Sequence, residues 1–162
     1  MTTTADRAPT DAAAGAGPGA RGGLHHGGDY QRLAERTTDP TVLRELARCD
    51  YPFVWHAVAE NPAAPADVLA ALADRRHSDH NDNLLLRLLA EHPATAGAGL
   101  DGVVDAVARR LAAGHRPYAA VLALAARTDL PAHRVEALGK LPGASTRLRR
   151  GLTRVLAARP AT

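Results

Sequence analysis

A single cysteine, Cys49, leaves this 162-residue chain with no internal disulfide and without the clustered thiolates that a structural zinc or iron-sulfur site needs. Aromatic residues make up only 3% of it. Its core must therefore be built from Ala, Leu and Val, which suits helices and argues against a large β-sandwich. No run approaches the roughly 18 consecutive apolar residues that span a bilayer. No apolar signal-peptide segment follows a basic start either, so a cytoplasmic protein is expected. Ser78 and Ser145 are the only serines, and the sequence contains no Gly-x-Ser-x-Gly, no His-Glu-x-x-His and no phosphate-binding loop ending in Lys-Ser/Thr. With no nucleophile, base and orienting acid to assemble, the chain reads as a non-enzyme without a cofactor.

What is present fits one domain of ordinary size, with 46% apolar and 23% charged residues. The net charge of +3 conceals a division. Residues 1–102 carry 9 basic against 14 acidic side chains (net −5), and residues 103–162 carry 11 against 3 (net +8). Such asymmetry favours anionic partners at the C-terminal end, or head-to-tail self-association. Lys140 is the only lysine, so the basic charge is almost wholly arginine, the usage of a GC-rich bacterial genome.

Residues 1–29 are rich in Ala, Gly and Pro with almost no large apolar side chain, and are expected to form a disordered tail. His25 and His26 lie among glycines there, with Asp29 the one further ligand type nearby, which suggests adventitious metal affinity and not a built site. From Tyr30 the text repeats itself. The echoes are Ala34-Glu35-Arg36-Thr37, Ala59-Glu60-Asn61-Pro62, Ala90-Glu91-His92-Pro93, Ala125-Ala126-Arg127-Thr128 and Ala157-Ala158-Arg159-Pro160. They begin 25, 31, 35 and 32 residues apart, and an apolar run precedes each later copy.

A second apolar pattern follows the motif. Pro40 leads into Val42, Leu43 and Leu46, Pro65 into Val68, Leu69 and Leu72, and Pro131 into Val135 and Leu138. Apolar residues three and four apart mark one helical face, proline is tolerated at the first helical position, and Asp39 is placed to cap the helix opened by Pro40. Each unit thus reads as helix, Pro-containing turn and shorter second helix, too small to bury its apolar face without stacking on its neighbours. The third copy departs from this. Ala94-Thr95-Ala96-Gly97-Ala98-Gly99 replaces the proline start, predicting a looser and longer joint with the helix resuming near Leu100.

The stretch Val54-Trp55-His56-Ala57-Val58-Ala59-Glu60-Asn61-Pro62-Ala63-Ala64-Pro65, continuing to Leu69, Leu72 and Ala73, resembles the leucine-rich-repeat variant family. That family's unit reads Val-Arg-x-x-Val-Ala-x-Asn-Pro-x-x-Pro-x-x-x-Leu-x-x-Leu-Ala. The resemblance covers residues 33–162, and is close in one repeat, fair at 33–47 and 124–139, and weak at 90–115. It implies an all-α fold: a short right-handed α-solenoid of about four to five repeats over residues 30–162, with alternating α and 3₁₀ helices and a HEAT- or armadillo-like look. It also implies a binding scaffold. Members that resemble iron-sulfur proteins carry a cysteine cluster ahead of the repeats; this chain has none, and the cofactor is not carried over.

Candidate sites follow. Tyr51, Phe53 and Trp55 form the aromatic cluster. In the family pattern Val54 is the buried position, which turns Trp55 toward solvent as a protein-binding anchor; the alternative is that it fills the core or a neighbouring groove. On the C-terminal segment, Arg147, Arg149, Arg150 and Arg154 alternate with Leu148, Leu152, Val155 and Leu156, giving a face able to neutralise nucleic acid or another polyanion, or simply a solvated one. His77, Asp79, His80 and Asp82 have the ligand types of a metal site, but read first as a hydrated surface loop over residues 75–83. A calcium loop fails there, because Leu84 replaces its glycine and Ala90 its closing glutamate. Gly97-x-Gly99-x-x-Gly102 lacks the preceding strand of a dinucleotide fingerprint. Cys49 reads as a buried filler.

The sequence therefore predicts a non-catalytic protein-protein interaction scaffold, with a polyanion-binding helical protein as the alternative. Because Arg159-Pro160-Ala161-Thr162 opens another copy of the motif with no second helix after it, an end-to-end homodimer is also expected.

Overall fold

The computed structural model describes residues 27–160. The tail expected from residue 1, with His25 and His26, lies outside the described residues up to 26. The helix expected to start at Tyr30 begins three residues earlier, at Gly27. The described residues are all-α: nine helices and no strand. They are α1 (Gly27–Arg36), α2 (Pro40–Leu46), α3 (Pro52–Glu60), α4 (Ala66–Leu72), α5 (Asp79–Glu91), α6 (Gly97–Ala112), α7 (Tyr118–Ala126), α8 (Ala132–Leu138) and α9 (Thr146–Ala157).

Local chemistry sets where the helices start. Asp39 accepts the Thr41 N–H at 2.8 Å beside Pro40, and the Ser145 hydroxyl accepts the Leu148 N–H at 3.2 Å. These acceptors satisfy donors that have no partner inside the helix. The short second helices are α-helical, correcting the expected 3₁₀ form: Leu43 N–H donates to Asp39 O at 3.1 Å, and Leu69 N–H to Pro65 O at 3.1 Å. Burying Leu43, Leu46 and Ala47 together needs positions three and four apart on one face, which the α period supplies and a 3₁₀ period does not.

The third joint is also corrected. Residues 92–96 connect α5 to α6, as long as the connections 61–65 and 127–131. Gly97 takes φ +51, a left-handed conformation open to glycine, and this turns the chain into α6 without a proline. Gly99 and Gly102 lie inside α6 and form no flexible joint. The polar stretch is likewise not all loop, since Asp79–Asn83 open α5.

Packing separates the helices into two sets. Among the odd-numbered helices α1 meets α3, α3 meets α5, α5 meets α7 and α7 meets α9, while α4 meets α6 and α6 meets α8. One continuous cluster of Leu, Val and Ala side chains fills the space between the sets, among them Leu43, Val58, Leu69, Leu89, Val107 and Leu124. Truncating such leucines to alanine typically costs about 2–5 kcal/mol.

A polar ladder runs through this core. Every α-helix ends with carbonyls that lack an intrahelical partner. Here the third residue of each later motif donates to carbonyls at the C-terminus of the preceding odd helix or in the turn after it. Asn61 Nδ2 donates to Ala34 O at 2.6 Å and Thr37 O at 2.8 Å, and its Oδ1 accepts from Ala63 N at 2.8 Å. His92 Nδ1 accepts from Ala94 N at 3.1 Å, which leaves Nε2–H to donate to Asn61 O at 3.0 Å. The imidazole thus reproduces the donor and acceptor of the carboxamide one repeat earlier. Arg127 donates to Ala90 O, His92 O and Thr95 O, and Arg159 to Leu124 O, Ala125 O and Leu130 O.

Asn61→Asp keeps the shape and removes both donors. It is expected to lower unfolding free energy in urea by about 3 kcal/mol at neutral pH. A loss below about 0.5 kcal/mol would show that those carbonyls do not depend on Asn61.

Candidate functional site

Tyr51 stands at the start of α3 and Pro52 fixes its first turn. The helical register then buries Val54, as expected, together with Ala57 and Val58, but it buries Trp55 as well, at 4% exposure. The expectation of an outward-facing indole is corrected. Trp55 Nε1–H donates to Cys49 O at 2.6 Å, and the Arg75 guanidinium lies 5.3 Å from the ring centre. The Cys49 carbonyl, six residues before it, and Arg75, beyond α4, thus supply a hydrogen bond and a cationic lid, which make burial of the indole favourable. Cys49 is half-buried, and burial pushes its thiol above the ordinary value, which suits a packing residue and not a nucleophile.

The remaining aromatics form a ledge. Tyr51 and Phe53 are exposed by 45% and 39%. Their rings stack at 5.3 Å, and Tyr30 of α1 extends the row at 6.4 Å from Tyr51. The Phe53 ring lies over Gly27, where an added Cβ would come within 2.7 Å of it. Tyr30 had no sequence signal, because it joins the row only through packing of α1 on α3.

The four residues with metal-ligand chemistry are not gathered around a common point; among the described residues no group of three or more such side chains could hold an ion. Two of them answer to a buried cation instead. Arg110, near the end of α6, donates from Nη1 to Asp82 at 2.9 Å, from Nη2 to Asp79 at 2.8 Å and from Nε to Asn83 at 3.1 Å. Asp82, expected in a hydrated loop, is 5% exposed, and its other oxygen accepts the His77 N–H at 2.8 Å. The Arg110 guanidinium also holds the exposed Asp79 carboxyl below the ordinary carboxylate value. The His77 ring accepts from the Asn81 carboxamide at 3.1 Å, and His80 is exposed.

Arg147, Arg149, Arg150 and Arg154 all lie exposed on α9, while Leu148 and Leu152 are buried beneath them. None of the four has a carboxylate within 4 Å or donates a side-chain hydrogen bond among the described residues. The contrast is with the even-numbered helices. Arg44 of α2 grips Asp67 of α4 bidentately at 2.8 and 3.1 Å, Arg109 of α6 reaches Asp74 after α4 at 2.9 Å, and Arg134 of α8 pairs with Asp101 of α6. Asp67, Asp74 and Asp101 are thus engaged by arginines of neighbouring helices, whereas the four arginines of α9 have no such partner.

With that geometry in view, no family model, curated protein or solved structure matches the chain.

His56, on α3, gives the structure a pH dependence. Its Nε2–H donates to Asn81 O at 3.1 Å, and burial pushes its protonation below the ordinary value of 6.5. The unfolded chain then binds the proton more readily, so this contribution to stability is present above 6.5 and is lost as the pH falls below it. The melting temperature is expected to drop between about pH 7.5 and pH 5.5, and to drop less in His56→Gln, whose amide keeps the donor. Equal drops in both proteins would assign the effect to other groups.

Proposed function

We propose that this chain is a non-catalytic protein-interaction scaffold of the leucine-rich-repeat variant type, a short right-handed α-solenoid whose stacked units display a rigid surface. The Tyr30–Tyr51–Phe53 ledge supports this reading best. It holds the exposed large hydrophobic side chains of the described residues, stacked on one another where α1 packs on α3. Phenol and phenyl rings held in place lose little rotamer entropy on binding, which is why aromatic residues dominate interface hot spots. Trp55, buried against Cys49 and Arg75, leaves the list of anchors. The single unpaired thiol suits a reducing compartment, and the cytoplasm is the location we propose.

A second reading, polyanion binding on α9, draws on the unpaired Arg147, Arg149, Arg150 and Arg154. The two readings separate by salt. Counterion release makes polyanion binding fall steeply with ionic strength, whereas an aromatic anchor is far less sensitive. Affinity capture from native lysate with the full chain, with and without nuclease and at two salt concentrations, is expected to retain one protein that Tyr51→Ser/Phe53→Ser loses by at least about tenfold, with its melting temperature unchanged. Capture that survives the double substitution, or that vanishes with nuclease, would overturn the ledge as the binding surface.

A further inference from the structure

We propose that the open cavity between α5 and α7 is a binding site for a phosphate group. Its wall combines His80, Asn83 and Arg87 of α5 with Arg116, Tyr118 and Ala119 at the start of α7. Two arginines, Arg87 and Arg116, line one hollow whose lining includes no carboxylate. Like charges sharing a cavity repel, and among the described residues the carboxylate within 4 Å of this pair, Glu91, stands 3.8 Å from Arg87 Nε and outside the lining.

The hydrogen bonding of the arginines sets this pair apart. Arg110, Arg127 and Arg159 each donate to three or more protein acceptors, so where this fold covers a guanidinium it usually saturates it. Arg87 differs at one atom of a side chain that is 41% exposed. Its Nε is shut off from solvent and has no hydrogen-bond partner. The Glu91 carboxylate is 3.8 Å from it, beyond hydrogen-bond reach, and lies one turn further along α5. A covered donor on a charged group left without an acceptor is costly, more so than for a neutral group. Arg116 is exposed and has neither a carboxylate within 4 Å nor a side-chain acceptor among the described residues. Asp79, the nearest acid in sequence to His80, is already engaged by Arg110 and His115.

The backbone adds to the same field. α7 opens on Pro117 with no capping side chain and no acid in its first turn, so the positive end of its dipole is uncompensated beside the two arginines. The wall is also rigid. Tyr118 Oη donates to Gly143 O at 2.9 Å and accepts from Ser145 N at 3.3 Å, which fixes the ring before any ligand arrives. Two guanidiniums approaching from different elements suit a tetrahedral dianion with several acceptor oxygens better than a planar carboxylate, which one arginine can hold alone.

The test is a titration of the full chain with sodium phosphate, followed by amide and guanidinium NMR shifts, against sodium chloride at matched ionic strength. Saturating shifts are expected at the Tyr118 and Ala119 amides, which line the hollow, with phosphate only. Arg116→Ala removes no hydrogen bond from the fold and is expected to weaken phosphate binding at least about tenfold, and Arg87→Gln likewise, while substitution of the exposed Arg36 of α1, Arg36→Ala, changes it less than about twofold. Equal shifts with chloride, or unchanged affinity in Arg116→Ala, would overturn the site.

Discussion

Ending a helix inside a protein exposes carbonyls that must find donors, and this structure meets that constraint the same way four times over. Asn61, His92, Arg127 and Arg159 each turn back to the preceding odd helix or the turn that follows it and donate to its carbonyls. A leucine-rich interface alone permits neighbouring helices to slide, because apolar contact has no direction. The ladder fixes both height and rotation of each helix against the last. Where the longer arginine replaces Asn or His, it reaches three carbonyls and not one or two. The stack that displays the aromatic ledge depends on this.

The two helix sets are held by different physics. Odd helices meet through buried Leu, Val and Ala with the carbonyl ladder at one end, and even helices are bridged at the surface by Arg–Asp pairs. Exposed pairs of that kind are each worth little and weaken with salt, so they set relative position more than stability. Between α5 and α6 lies a different case, the covered Arg110–Asp82 pair with Asp79 and Asn83. Its geometry is saturated, and removing one partner would leave a buried charge uncompensated. The proposed phosphate site lies on the same α5, whose Arg87 Nε has no hydrogen-bond partner.

Much of the fold is legible in the sequence. The recurring Ala-x-x-Thr/Pro echo marks where each odd helix stops, and Asp39, Pro40, Pro52 and Ser145 mark starts, because caps and prolines act locally. What the sequence hides is choice of distant partner. The third motif position varies among Asn, His and Arg, so its shared role is invisible until the carbonyls it serves are in place. Trp55 is buried by Cys49 and Arg75, which lie on either side of it in sequence, and Asp82 by Arg110, 28 residues away. At the third joint Gly97 makes a turn that proline makes elsewhere, and a glycine run reads as looseness until its positive φ is seen. Of the candidate site, Tyr51 and Phe53 were named from composition alone, whereas Tyr30 required the packing of α1 on α3.

The ladder itself is open to direct observation. Both Nδ2 protons of Asn61 lie in hydrogen bonds to covered carbonyls, at 2.6 and 2.8 Å. Native-state hydrogen exchange of that carboxamide, followed by NMR, should therefore show both protons protected to the same degree as the backbone amides in the middle of α3. Exchange at the rate of a solvated asparagine side chain would contradict the account, and would leave the odd helices joined by apolar contact alone.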